Sequence, residues 1–470
     1  MAPPPNLAAR PRVLQVSTSD VGGGAEKIAL SLHRAYRARG YESWLAVGAG
    51  GSSADGVVVM PNDAERGPWA RAVIGAASPL RPLVGRVRGA WLARHLLVDY
   101  LAQPGRAIER LRGHEDFDFP ATWRLLRLPP ERPDILHGHN LHGGYFDLRA
   151  LPWLSRQLPL VLTLHDAWLL SGHCAHSFDC ERWRTGCGHC PDLTIYPAIP
   201  RDATATNWRR KQGIYARSRL YVATPSAWLA ERVRASMLAA GTADLRVIPN
   251  GVDRTVFRRH DRAAARAELG IDPGALVLLF AANGIRRNIW KDYRTLRAAI
   301  GLLAAQSPDL PLVLLGLGDN GPPERIGEAQ VRFVPHQRDP AVVARYYQAA
   351  DLYVHAARVD TFPTTVIEAL ACGVPVVATA VGGIPEQVRS LAHEHPTGIL
   401  TPPGDAAALA RAVTDLLRDP ALRGRLTANA AADAADRFDL GRQADAYLSW
   451  YAEVRRDWAE QRSAQREVAS

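Results

Sequence analysis

Asp360 and Glu368 stand eight positions apart in the stretch VDTFPTTVIEALACGVP, on either side of a Phe-Pro-Thr turn that opens an apolar helix. Pro363 has the backbone angle favoured in a first helical turn, and Thr361 or Thr364 is placed to cap it. Glu368 then falls in the second turn, directed to the same side as the loop that carries Asp360. Two acids so placed could hold the hydroxyls of a ligand. They could equally complement the helix dipole and support the turn. Upstream, NGIRRNIWKD follows an apolar run and offers Arg286, Arg287 and Lys291. Cations there suit a diphosphate, whose growing charge on departure they would neutralise, unless they simply form a solvated basic loop.

Histidines gather at two further points. His137, His139 and His142 surround DILHGH, with Asn140 among them, and His165 with Asp166 ends LPLVLTLHD. An imidazole near neutral pH can donate or accept a hydrogen bond, which suits contact with a sugar hydroxyl or a developing oxyanion. Any one of them can also be structural, but two strand ends carrying them point to a site in a cleft between domains. Gly22, Gly23 and Gly24 lie between the first strand pattern and the first helix pattern, where bare backbone amides can cradle a phosphate. The spacing is not G-x-G-x-x-G, and a tight connection is the alternative. Cys174, Cys180, Cys187 and Cys190 follow a C-x5-C-x6-C-x2-C pattern, with His173, His176 and His189 nearby. Four thiolates could hold a structural zinc, or the thiols could remain reduced without metal.

The elements that must position these groups follow from periodicity. VLQVSTSD, the glycine turn, AEKIALSLHRAYRARG and ESWLAVG read as strand, turn, helix and strand, with Ala25, Ile28, Ala29, Leu32 and Tyr36 on one helical face and Gly40 at its end. That opening implies a parallel sheet. Helical text over about 68–128 interrupts the rhythm, and DILHGH, LPLVLTL, LYVATPS and LRVIPNG resume it. A second series runs through ALVLLFAA, LPLVLLGLG, VRFVPH, DLYVHAA, VPVVATA and TGILTPP. The expected division is a flexible tail 1–12, a first α/β domain 13–255 with the insertion and a Cys-rich loop 173–191, a linker 256–274, a second α/β domain 275–436, and a helical stretch 437–470 returning to the first. Ligands of open parallel sheets sit at the carboxyl ends of the strands, which is where the groups above fall.

With 470 residues, 47% of them hydrophobic, the chain has material for two or three cores and is not a disordered chain. It shows no secretory signal pattern and no apolar run near the roughly 20 residues that span a bilayer. A cytoplasmic location is expected, with reduced thiols. The net charge of +10 favours an anionic partner: phosphorylated small molecules, an anionic membrane or nucleic acid. Nucleic acid is disfavoured because basic residues are spread throughout and no reading motif occurs. In the insertion, Val84, Val87 and Trp91 share a helical face ringed by Arg81, Arg88 and Arg94, which suits either the inner face of a membrane or a packed helix with a solvated basic side.

GGGAE, TLHD, VIPNGVD, RRNIWK and DTFPTTVIEALACGVPVVATAVGGIPE together resemble the family 4 retaining glycosyltransferases, over nearly the whole chain. HNLHGGYFDLRALPWL, EDFDFP and the Cys-rich stretch resemble a colanic-acid or capsule-type subgroup. The resemblance implies the GT-B fold, two facing Rossmann-like doubly wound domains with an interdomain cleft. It implies a nucleotide diphosphate sugar as donor and a saccharide or polyprenyl-diphosphate-linked acceptor. No metal or other cofactor would serve catalysis, and the leaving phosphate would take the acceptor proton during front-face attack. By position, Glu368 matches the glutamate that holds the ribose. Asp360 stands where most members have glutamate reaching the transferred sugar, and Phe362 and Thr364 share that donor loop. Lys291 matches the group on the diphosphate, with Arg286 or Arg287 as its partner. Gly23 and Gly24 match the amides against the phosphate, and His165 the histidine beside the reacting sugar. His139, Asn140, His142 and Asp166 are the acceptor-side candidates. A GT-B epimerase or phosphorylase would share the fold, and a nucleic-acid-binding protein with a zinc-like cluster is the alternative from another class.

Overall fold

In a computed structural model, residues 9–51 and 54–469 are described, and they divide into two compact units. The first holds the chain up to Thr224, Ala230–Arg246 and the chain from Tyr447 on; the second holds Pro225–Leu229 and Val247–Ala446. Of the expected tail, residues 1–8 lie outside the described residues. Arg12 is already tied down, its guanidinium on Asp134 at 3.0 Å and Glu131 at 2.8 Å.

The first sheet contains β1 (Val13–Ser19), β2 (Ser43–Ala49), β3 (Val57–Val59), β4 (Ile135–Gly138), β5 (Leu160–Thr163), β6 (Leu220–Thr224) and β7 (Thr242–Val247), in the order β3-β2-β1-β4-β5-β6-β7. The pairings among β1 to β6 are parallel. The helix Gly24–Ala38 buries Ala25, Ile28, Ala29, Leu32 and Tyr36, the face its periodicity marks. Strand β3 is only three residues long and carries no sequence signal of its own.

Between β3 and β4 the chain is helical but broken. The expected amphipathic helix through Val84, Val87 and Trp91 does not form as one piece. Pro82 sits inside a short 3-10 helix, Ser78–Leu83, and Gly85 and Gly89 take φ of +83° and +86°, where a right-handed helix cannot continue. The helix Ala90–His95 and a wider-pitched turn, Leu96–Leu101, follow.

The second sheet contains β8 (Leu276–Ala281), β9 (Leu312–Leu317), β10 (Glu324–Ile326), β11 (Ala329–Val334), β12 (Leu352–His355), β13 (Val376–Thr379) and β14 (Gly398–Thr401), in the order β10-β11-β9-β8-β12-β13-β14. Only the short β10 runs antiparallel to its neighbour. Residues 256–274, expected as a linker, belong to this unit's body instead. Phe257, Ala265 and Ile271 lie in its core, and the buried Arg266 pairs with Asp351 at 2.6 Å. The charged composition misled because two of its arginines, Arg262 and Arg266, serve the buried Asp351 carboxylate rather than solvent.

The last helix, Leu440–Ala469, enters the first unit at Tyr447. There Tyr447, Trp450, Tyr451 and Val454 are buried. Burying one such aromatic stabilises by about 1.5–3 kcal/mol, and their polar ends are also satisfied. Trp450 Nε1–H donates to Asp244 at 2.8 Å, and Trp458 Nε1–H to the Ser155 carbonyl at 2.9 Å. Among the described residues, no helix is long and apolar enough to cross a membrane.

Candidate active site

In the second unit the basic loop and the acidic loop are tied together by backbone. Lys291 forms a bridge with Ala357, the Asp292 N–H donates to the Ala356 carbonyl at 3.0 Å, and the Arg358 N–H to the Trp290 carbonyl at 2.9 Å. This pairing brings Lys291 Nζ onto the Asp360 carboxylate. His355, the last residue of β12 and fully buried, completes the cluster: its Nε2 lies 3.2 Å from Lys291 Nζ and 3.3 Å from Asp360 Oδ2, and its Nδ1 meets the Tyr353 hydroxyl at 3.0 Å. Burial works against the Asp360 carboxylate, but Lys291 and His355 together outweigh it and hold that group well below the usual carboxylate range. Burial, with Lys291 adding to it, pushes His355 down to about 4, so its imidazole is neutral at pH 7.

Glu368 lies in the helix Thr364–Ala371, is buried, and accepts a hydrogen bond from the Tyr347 hydroxyl at 2.9 Å. Pro363 is itself the N-cap residue and neither Thr361 nor Thr364 caps the helix, because the turn enters it one residue later than the sequence suggests. Phe362 was expected at the donor. Its ring is buried edge-on to Phe438, 5.9 Å away, so its side chain is spent on the core. Arg286 is held by Asp319 at 3.3 Å and lies over the Phe333 ring, while Arg287 points into solvent. The loop bearing Asp360 is seated on two glycines. A Cβ at Gly382, φ +57°, would fall 1.7 Å from the Asp360 carbonyl oxygen, and one at Gly383 2.0 Å from that of Thr361.

In the first unit the histidines at the ends of β4 and β5 form a stack. His139 Nδ1 lies 3.0 Å from His165 Nε2 and its Nε2 3.0 Å from Gln15 Oε1. His137 is held between the Thr163 hydroxyl at 2.7 Å and the Tyr451 hydroxyl at 2.6 Å. Burial lowers all three, His137 to about 3 and His165 to about 4. His165 is therefore a neutral, partly exposed imidazole that can exchange hydrogen bonds but stores no proton. His142 differs. Burial opposes its charge, yet Asp166, 2.6 Å away, raises it above the ordinary histidine value. Asn140 contributes its backbone carbonyl, which accepts from Thr18 at 3.2 Å and Tyr145 at 2.7 Å. Gly23 is the exposed N-cap of the first helix and Gly24 its first residue, but the Glu26 carboxylate turns back onto the Gly23 amide and occupies the place an anion would take.

The four clustered cysteines are free thiols. Among the described residues no three His, Cys, Asp or Glu side chains form a group that could hold a metal ion, so the expected zinc site is not assembled. The thiols are engaged singly: Cys187 Sγ accepts from the Gly172 N–H at 3.3 Å, and Cys190 Sγ lies 3.4 Å from His173 Nε2. Burial pushes Cys174 up to about 12 and Cys187 up to about 11, which keeps both protonated.

A family model described as Glycosyltransferase Family 4 matches residues 22–256, and one described as Glycosyl transferases group 1 matches residues 261–433. The D-inositol 3-phosphate glycosyltransferase 1 of Catenulispora acidiphila is 31% identical over 420 residues, 86% of this chain and 90% of that one. The chain belongs to glycosyltransferase family 4. A D-inositol 3-phosphate glycosyltransferase of Pseudarthrobacter chlorophenolicus is 35% identical over 306 residues, covering 63% of this chain and 65% of its own. Among solved structures, Anabaena HepE in complex with UDP and glucose is 19% identical with a TM-score of 0.57, covering 96% of this chain and 99% of its own. Sucrose-phosphate synthase from Thermosynechococcus elongatus is 20% identical with a TM-score of 0.59, over 95% and 99% of the two chains. The fold of this glycosyltransferase is GT-B, with two Rossmann-like sheets.

Four residues of the glycosyltransferase's second unit escaped sequence reasoning. His355 was read only as the end of a strand, although a polar residue closing an apolar run at a sheet's carboxyl edge was a signal. Tyr347 gave none, since a tyrosine in helical text reads as core. Gly382 and Gly383 were visible as a pair, but which backbone they would touch was not.

Proposed function

We propose that the protein is a retaining, metal-independent glycosyltransferase that moves a sugar from a nucleotide diphosphate sugar to a saccharide acceptor during cell-surface polysaccharide synthesis. The observation that carries this reading is the cluster of Lys291, Asp360 and His355 beside β12. The Lys291 ammonium sits on a carboxylate until a ligand arrives. A donor diphosphate competes for it with two negative charges, and exchange would free Asp360 to accept a hydrogen bond from the transferred sugar. Lys291 with Arg286 and Arg287 then stabilises the charge that grows on the leaving phosphate. Glu368, fixed by Tyr347, suits the ribose hydroxyls. The sugar–phosphate C–O bond breaks, the new C–O bond forms on the same face, and a leaving phosphate oxygen takes the acceptor proton.

The relatives named for D-inositol 3-phosphate support a second reading, with a phosphorylated cyclitol as acceptor. The likeness of the histidine-rich and Cys-rich stretches to capsule-type enzymes supports the first. So does the insertion, where, among the described residues, more than half of the exposed large hydrophobic side chains lie between Trp69 and Leu111. Eight arginines stand against two carboxylates from Pro68 to Arg112. A surface both apolar and cationic suits an anionic membrane carrying a lipid-linked acceptor. Failure to sediment with phosphatidylglycerol vesicles would remove that part of the reading.

The reaction is tested by offering UDP-, GDP-, ADP- and dTDP-sugars and following hydrolysis and transfer, with the product's anomeric configuration read by NMR. Lys291→Ala should lose about 10²–10³-fold in turnover with its circular dichroism unchanged. Wild-type turnover in that variant removes Lys291 from the site, and an inverted product removes the retaining assignment.

A further inference from the structure

The second unit holds a cavity of about 210 Å³ at the opposite edge of its sheet from Lys291 and Asp360. Ala350 and Val374, which line it, stand just before β12 and β13 begin, whereas His355, in the cluster with Lys291, ends β12. The cavity therefore opens at the amino edge of the strands, away from the carboxyl edge where ligands of such sheets bind. Its polar wall is Arg259, His260, Arg262, Gln348 and Thr427. The first three belong to the charged stretch that reads as a linker in sequence.

Cations outnumber their partners here. Asp351 is buried and takes Arg262 on one oxygen at 2.8 Å and Arg266 on the other at 2.6 Å, where the Val277 N–H also donates at 2.8 Å. That carboxylate has little left for a third cation. Asp261 is engaged in capping the next helix, through the Ala263 N–H at 2.8 Å, and Glu268 pairs with Arg345 at 2.9 Å. Burial already opposes the charge on Arg262, and the nearby Arg266, Arg423 and Arg259 oppose it further. A guanidinium keeps its proton at pH 7, so an anion is what relieves such crowding. Arg259 is exposed and makes no ion pair among the described residues. Its stem lies along the bare backbone of Gly373, where a Cβ would fall 2.7 Å from Arg259 Cγ. The carbonyls of Glu368, Ala369 and Leu370, which end the helix beside it, are already taken by the N–H groups of Cys372, Val374 and Gly373.

We propose that this cavity is an anion site for a phosphate group, held between the Arg259 and Arg262 guanidiniums with the Thr427 hydroxyl as a further donor. The ligand is inorganic phosphate or the phosphoryl end of a small metabolite, and both present the tetrahedral dianion that a forked guanidinium matches. The volume is below the roughly 300–1,000 Å³ of sites for drug-sized ligands, which suits a phosphate head rather than a whole nucleotide. The site goes beyond the glycosyl-transfer reading: it lies apart from Lys291 and Asp360 and takes no part in the reaction. Occupancy would stabilise the second unit by supplying the charge that Asp351 cannot.

The test titrates the full chain with inorganic phosphate and with sn-glycerol 3-phosphate, using chloride of equal ionic strength as the control, by isothermal and scanning calorimetry. At least one of the two phosphates should bind with Kd of about 1 mM. At about 20 mM it should raise the Tm of the second unit's transition by about 3–7 °C, while chloride should move it by less than about 1 °C. Arg259→Ala should weaken binding about fivefold or more and Arg259→Glu should abolish it, both at an exposed position that leaves the core intact. Lys291→Ala, which alters the other edge of the sheet, should keep the phosphate-dependent shift. Tighter binding of glycerol 3-phosphate supports the site and assigns it to phosphorylated metabolites; tighter binding of inorganic phosphate supports it and assigns it to the free ion. The proposal is overturned if neither phosphate binds, if chloride reproduces the shift, or if Arg259→Glu leaves binding unaltered. Loss of the shift in Lys291→Ala also overturns it, since the anion would then sit beside Asp360. None of these readouts requires transfer of a sugar, so the site stands or falls separately from the reaction.

Discussion

Lys211 is the most informative residue to remove. It is wholly buried, and its ammonium lies 2.9 Å from Glu115 Oε2, 3.0 Å from the carbonyls of Trp168 and Ser171, and 3.8 Å from the centre of the Trp168 ring. This one cation ties the insertion, through Glu115, to the loop after β5. In Lys211→Met the Glu115 carboxylate stays buried and keeps the Trp168 Nε1–H, 2.6 Å away, as its side-chain donor. Stranding a buried charge costs about 3–5 kcal/mol. For a unit of this size that corresponds to a fall in Tm of roughly 6–20 °C in its transition. Lys211→Met with Glu115→Gln removes the stranded charge and keeps an acceptor for Trp168, so it should recover about 1–3 kcal/mol of the loss. A pH signature follows as well. Burial already raises the Glu115 carboxyl despite Lys211, and without Lys211 it rises further. A carboxyl whose folded pKa lies above its unfolded value stabilises the fold below the unfolded pKa, and that contribution is lost as pH rises through the folded value. The deficit of Lys211→Met should therefore shrink as pH falls from 7 toward 5. Differential scanning calorimetry of the three proteins across that range is the assay. A Tm loss under about 2 °C, or a deficit that does not change with pH, would refute the reasoning.

Two more outcomes are expected. Gly382→Ala drives a methyl into the Asp360 carbonyl at a φ that favours glycine, so it should cost about 1–3 kcal/mol and displace the Asp360 loop. Donor KM should rise with it, and unchanged kinetics would show that the loop tolerates the shift. By NMR the His142 imidazole should titrate above its ordinary value: burial and Lys211 oppose its charge, while Asp166 and the more distant Glu26 favour it. Since its folded pKa is raised, the stability it adds is present below about pH 6.5 and is lost as pH rises through the folded value. Asp166→Asn should move the midpoint down, and an unmoved midpoint would dismiss the pairing.

Periodicity and residue type carried much of the architecture. The helix after β1 buries the face its spacing marks, and six apolar runs of the second series became strands. The short β3 and β10 were illegible because three residues hold no period. The insertion was legible as helical and basic, but its continuity was overread, because Gly85 and Gly89 were not weighed against the heptad-like spacing of Val84, Val87 and Trp91.

For the site, sequence order alone placed Lys291, Asp360, His142 and Asp166 at strand ends, and in a parallel sheet those ends share one edge for reasons of topology. Their partners were another matter. Lys291 and Asp360 are sixty-nine positions apart and are joined by a backbone bridge between two loops, and no local pattern encodes such a bridge. The cavity of about 480 Å³ in the first unit is the extreme case, since Tyr100, His142, Trp168 and Tyr196, which line it, lie far apart in the chain. Local composition determined which groups this chain could bring to a reaction. The packing of distant segments decided which carboxylate each cation faces and which histidines lose their charge.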